Sequence, residues 1–210
     1  MQQLDEDSAT GPDKIPARVL KRCAVQLAEP VYLLGLAILD SGVWPALWIQ
    51  HWVAAIYKKK SVFDPKNYRG VHMTAQLAKV MERFLGAIFI ERLSAPLIIG
   101  PNQFAYIKNR GSRDALAYLV LSWFLAVMEK GRVALYFSDV SGAFDKVRAD
   151  RLVEKLKSKG MPEQLLCLVA SWLRDRVGNV VVTGAVSQDM LLQNMVFQGT
   201  VWGPSLWNVF

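Results

Sequence analysis

The chain has 210 residues and a formal net charge of +7, enough length to bury a real core as one large domain or parts of two, with a balance that favours a polyanionic partner. Its apolar fraction of 52% and mean hydropathy of +0.19 are high for a freely soluble monomer, so some apolar surface is expected to be meant for another element. The two cysteines, Cys23 and Cys167, lie far apart in apolar helical patterns, which excludes a disulfide scaffold or zinc spacing and reads as buried thiols of a reducing compartment.

In chain order, residues 1–10 are polar and acidic and read as a loose tail. Gly11 to Pro16 form a turn, and Pro16 suits the first turn of a helix running to about Ala28. A second helix is expected over residues 30–40, ended by Ser41 and Gly42. Residues 51–59 read as a strand that grows basic at its exit, and after the loop 61–67 a second extended piece over 68–73 should pair with it. From Thr74, the residues Leu77, Val80, Met81, Phe84, Leu85, Ile88 and Phe89 repeat at helical spacing until Pro96. A polar, basic loop over 102–113 leads into a long helix over 112–130, stopped by Gly131. Its apolar run from Ala115 to Met128 is too short to span a bilayer, and the apolar stretch 31–57 is broken by Asp40, Gly42 and Pro45. With neither a span nor a targeting segment, the expectation is a chain that works inside the cell, nuclear or cytoplasmic, away from membranes.

Val133 to Phe137 are continuously apolar, β-branched and aromatic, the pattern of a buried strand, and Asp139 emerges at its carboxyl end. A carboxylate there can cap the next turn or bind a cation. Residues 150–159 then form an amphipathic helix closed by Gly160, and Pro162 opens another that ends near Arg176. Residues 178–197 alternate and are rich in Val, with breaks at Gly184 and at 187–189, which reads as a hairpin, and a last helix should start after Pro204.

The stretch Asp139-Val140-Ser141-Gly142-Ala143-Phe144-Asp145 resembles the first catalytic motif of reverse transcriptases, most closely the type found in non-LTR retrotransposons and group II introns. Further blocks stand in the family's order. Tyr57-Lys58-Lys59-Lys60 and Asp64-Pro65-Lys66-Asn67-Tyr68-Arg69-Gly70 come first, then Asn102-Gln103-Phe104-Ala105-Tyr106 with Arg110-Gly111-Ser112-Arg113-Asp114-Ala115, and finally Gln198-Gly199-Thr200-Val201-Trp202-Gly203-Pro204-Ser205-Leu206. The family's third motif, a pair of aspartates, is absent because the chain stops at Phe210. The resemblance implies an α+β right-hand polymerase fragment, fingers plus the first half of a palm, with an antiparallel sheet backed by helices. Residues 11–130 would be the pre-fingers and fingers region and 131–210 a partial palm, with the thumb absent.

Carried over residue by residue, the resemblance makes Asp139 the catalytic metal ligand, with the Val140 carbonyl as a second donor, to Mg2+ or Mn2+. The missing aspartate pair would complete the site. Arg69, with Lys58, Lys59 or Lys60, would grip the triphosphate, although the lysines also fit a solvated hairpin tip. Gly142 and Ala143 would let backbone amides approach the same phosphates. Phe144 would lie under the sugar and exclude a 2′-hydroxyl, or belong simply to the core. Asp145 fits a structural acid bonded to the following turn better than a metal ligand. Gln198 and Gly199 would frame the nucleotide, or form an ordinary turn. Arg110 and Arg113 would neutralise template or primer phosphates, or be plain surface charge.

The partners implied are an RNA template, a DNA primer and deoxynucleoside triphosphates. The function implied is RNA-templated DNA synthesis by two-metal phosphoryl transfer in a longer parent, the isolated chain being inactive. The alternative is a non-catalytic nucleic-acid-binding remnant of a retroelement. A palm polymerase that makes RNA is disfavoured by Phe144, since such an enzyme must admit the 2′-hydroxyl.

Overall fold

The computed structural model describes residues 1–93 and 95–210. Pro16 caps the short helix α1 (Ala17–Arg22), which ends well before Ala28, and α2 (Ala28–Ser41) closes on Gly42 in the left-handed conformation. Residues 1–10 hold no helix or strand, yet they are not simply loose. Leu4 is buried with Ala17, Leu20 and Val80, and the Ala9 carbonyl accepts from Gln76 Nε2 at 2.5 Å, because one apolar residue in the acidic stretch finds a cover.

Strand β1 (Gln50–Tyr57) and strand β2 (Tyr68–Met73) form the expected antiparallel hairpin. The sheet as a whole is not antiparallel. β3 (Arg176–Val182) lies parallel to β1, and the short strands β4 (Ala185–Val186) and β5 (Met190–Leu192) pair antiparallel with β3. The crossover between β1 and β3 holds several helices, which is the length a parallel pairing requires and which local strand patterns do not reveal.

The helices α3 (Gln76–Leu93), α6 (Ala149–Ser158), α7 (Glu163–Leu173) and α8 (Gly203–Val209) enclose the main core. Each contributes a buried stripe: Met81 and Leu85 from α3, Leu152 and Leu156 from α6, Leu168 and Trp172 from α7, Leu206 from α8. Trp202 sits at the centre, its ring 5.1 Å from Phe89, 5.2 Å from Trp44 and 5.4 Å from Trp172, all tilted or edge-on as aromatic quadrupoles prefer. A short helix α4 (Pro96–Ile99) precedes the basic loop.

α5 (Ser112–Met128) forms where its pattern predicts, with its first turn closed by the Asp114 carboxylate accepting from Gly111 N at 2.7 Å, but it has no buried residue. The expected strand after it is absent. Residues 131–140 adopt neither helix nor strand and are exposed throughout, since no neighbouring strand among the described residues offers them a ladder. Cys23 and Cys167 are likewise exposed rather than buried, each falling on the solvent side of an apolar stretch whose bulkier neighbours take the core. No helix among the described residues is long and apolar enough to cross a membrane.

Candidate functional site

The β1–β2 hairpin presents its cations to solvent: Lys58, Lys59, Lys60 and Arg69 are all exposed. The connecting loop is shaped by its own bonds. Lys58 N donates to Asn67 O at 2.8 Å, Asp64 Oδ1 accepts from Lys66 N at 3.0 Å, and the Tyr68 hydroxyl donates to Val62 O at 2.8 Å. On β2, Arg69 and Val71 share one face while His72 points to the other, inner one.

The turn after β5 seats itself on this strand. His72 N donates to Gln198 O at 2.7 Å, which continues the β2 backbone bonding beyond the hairpin. Gly199 has φ +107, and a Cβ built there would stand 2.6 Å from the His72 carbonyl oxygen and 3.3 Å from Val71 Cγ1, so only glycine can make this approach. Gly199 therefore lies against Val71, on the face that carries Arg69 about 7 Å further along the strand.

Two residues before Gln198, Val196 N donates to Phe144 O at 2.9 Å. The Phe144 ring is half-buried, stacked on Trp207 at 5.9 Å and edge-on to Tyr106 at 6.3 Å. Gly142 takes the left-handed conformation with φ 62 and its carbonyl accepts from Asp145 N at 3.0 Å, so the main chain of Asp145 makes this turn while its side chain stays exposed. Asp139 and Val140 lie in the exposed segment ahead of it. Among the described residues, no group of three or more His, Cys, Asp or Glu side chains is placed to hold a metal ion.

Arg110 is engaged within its own loop. Its Nη1 donates to Pro101 O at 2.7 Å and Gln103 O at 3.1 Å, and Gln103 Nε2 in turn donates to Asn208 Oδ1 on α8 at 3.0 Å. Arg113, in the first turn of α5, is exposed.

Behind the hairpin and the turn runs a buried polar chain that the sequence pattern did not single out. Arg176 begins β3 instead of ending a helix and is 0% exposed, its guanidinium 4.9 Å from the Trp172 ring centre and 5.2 Å from that of Phe197. Its Nε donates to Trp172 O at 2.6 Å and its Nη1 to Trp48 O and His51 Nε2, both at 2.8 Å. Because His51 Nε2 accepts, His51 Nδ1 carries the proton and donates to His72 Nδ1 at 3.1 Å. Burial, with the Arg176 charge second, lowers His51 to about 2 and His72 to about 4, so both rings are neutral. Glu82, also 0% exposed, is pushed up by burial and drawn back down first by its Trp172 hydrogen bond and then by Arg176. One signal was available in the sequence: Glu82 falls in register with Ala78, Met81, Leu85 and Phe89 on the apolar stripe of α3.

Residues 56–210 match the family model described as reverse transcriptase (RNA-dependent DNA polymerase). Over 210 residues, 99% of this chain, the sequence is 30% identical to the RNA-directed DNA polymerase from mobile element jockey of Drosophila melanogaster, and it is 28% identical to the protein of the same name in Drosophila funebris. It is 26% identical over 211 positions to the probable RNA-directed DNA polymerase from transposon BS of Drosophila melanogaster. In each case the chain spans 23% of the relative's length.

Proposed function

Because the chain belongs to the reverse transcriptase family, we propose that it is the fingers and first palm portion of a non-LTR retrotransposon enzyme that copies an RNA template into DNA. The observation that carries this reading is the convergence of residues distant in sequence. Gln198 and Gly199 dock on β2 beside the face that carries Arg69, and Phe144 is bonded through Val196 to the same turn. That is the arrangement needed to hold a triphosphate at one end and a sugar at the other.

In this reading Arg69, with Lys58 and Lys59, takes the phosphates of an incoming deoxynucleoside triphosphate, the guanidinium by a paired grip and the lysines as point charges. The main chain at Gly142 and Ala143 adds donors to the same phosphates. Gln198 and Gly199 border the nucleotide, and the Phe144 ring, fixed against Trp207, closes the space a 2′-hydroxyl would need. Arg113 meets the template and primer backbone. Asp139 and the Val140 carbonyl are hard oxygen donors of the kind magnesium takes, and they are what this chain would contribute to its binding. The ion, when bound, neutralises charge on the reacting phosphate. These donors fall short of a complete metal site among the described residues. A second reading is nucleic-acid binding without catalysis, for which the exposed cations of the hairpin and of the start of α5 would suffice.

The test is a salt titration of primer–template binding. Affinity should fall steeply with salt, and replacing Arg113 by Ala should shrink the log–log slope by about 0.9. A flat titration for the unaltered chain would remove both readings.

A further inference from the structure

We propose that Glu82 is a positioning residue for nucleotide binding: from inside the core it holds the 198–202 turn in place, and so sets where Gln198 and Gly199 meet the incoming deoxynucleoside triphosphate. The inference rests on the functional reading above and extends it to a residue that would never touch the substrate. Glu82 is 0% exposed. Its Oε2 accepts from Val201 N at 2.6 Å, its Oε1 accepts from Trp172 Nε1 at 3.0 Å, and its main-chain oxygen accepts from Trp202 Nε1 at 2.6 Å. The turn is thus pinned at two points. β2 holds its start through the His72 N to Gln198 O bond, and α3 holds its end through Glu82. Between the pins the turn closes on itself, Thr200 Oγ1 donating to Phe197 O at 2.6 Å and accepting from Gly203 N at 3.3 Å.

The chemistry calls for a carboxylate. Both partners of the side chain are N–H donors, so both oxygens must accept, and a protonated acid or an amide would turn a donor toward a donor. A buried anion is costly unless compensated, and here the compensation is at hand in two charge-assisted hydrogen bonds and in the positive charge of Arg176. Glu82 thereby couples α3, α7 and the turn into one unit. Gly199 itself is exposed, as a surface that receives a ligand requires.

The experiment uses the full 210-residue chain as wild type and as Glu82→Gln, an isosteric change that puts an amide NH2 where one of the two acceptors stood. Each is titrated with a deoxynucleoside triphosphate and magnesium and followed by the backbone amide signals of Gly199 and Val71. Primer–template affinity and amide hydrogen exchange are measured alongside. The expected result is nucleotide binding weakened by about tenfold or more and faster exchange at Val201, with primer–template affinity and the exchange of Val53 and Val71 held within about twofold. If Val201 exchanges faster but nucleotide affinity is unchanged, the turn's anchor does not position the ligand and the proposal is overturned. It is equally overturned if both affinities fall together while exchange rises throughout the sheet, for then Glu82 serves only the fold. Should the Gln variant not fold, Glu82→Asp, which keeps the charge but withdraws it by one methylene, is read by the same criteria. Failure of the functional reading looks different: it appears in the wild type, as no response of Gly199 to the nucleotide, before any variant is compared.

Discussion

Two histidines in the same buried chain make the fold sensitive to acid. In the unfolded chain each takes up a proton near its ordinary pKa of 6.5, whereas in the folded protein burial beside Arg176 holds His51 down to about 2 and His72 down to about 4. The unfolded state therefore binds more protons below pH 6.5, and stability present above that value is lost as pH falls. Each ring contributes at most about 1.4 kcal/mol per pH unit across its window, 6.5 to about 4 for His72 and further down for His51. Glu82, raised by burial, acts in the opposite sense, because its folded form holds a proton more readily than the unfolded one. Comparing wild type with His72→Gln isolates the histidine contribution. The urea midpoint of wild type should fall between pH 7 and 5, and that of the variant, lower at pH 7, should fall less steeply. Equal slopes would mean that His72 is not held neutral.

At the scale of the element, α5 and α6 behave oppositely although both read as helices from sequence. Leu152 on α6 is 0% exposed, whereas Leu121 on α5 is 59% exposed and its helix buries nothing. Leu152→Ala should cost about 2–5 kcal/mol, while Leu121→Ala should stay within about 0.5 kcal/mol, both read from chemical denaturation. A large loss from Leu121→Ala would show that α5 is packed in solution. The same contrast explains what could be read in advance. Helix starts at Pro16 and Pro162, the stop at Gly42 and the hairpin 50–73 are local signals, and each stands where the pattern puts it. The parallel β1–β3 pairing and the burial of Arg176 are long-range outcomes, decided by which surfaces meet across more than a hundred residues. The segment 133–137 has the composition of a strand but no partner edge here, and composition alone cannot supply one. The resemblance leaves Arg110 open between a phosphate contact and plain surface charge, and folding adds what neither reading contains, its guanidinium donating to two carbonyls of its own loop.

For the molecule as a whole, the residues proposed to meet the nucleotide and those proposed to meet the metal stand in different states. The turn at Gln198, the β2 face with Arg69 and the ring of Phe144 are joined by hydrogen bonds and packing, while Asp139 lies in an exposed segment that forms no strand. Phosphoryl transfer by the two-metal route needs several carboxylate oxygens around the ions, and underligated ions forfeit transition-state charge neutralisation worth several kcal/mol, at roughly tenfold in rate per 1.4 kcal/mol. The expected outcome for the purified 210-residue chain is thus salt-dependent binding of primer–template without extension of the primer in magnesium. A polyacrylamide assay with a labelled primer on an RNA template reads both, since the bound fraction and the extended fraction are scored on the same samples. Extension that depends on magnesium and disappears in Asp139→Ala would show that the segment around Asp139 can close on the Gln198 turn and complete the chemistry with donors this chain already holds.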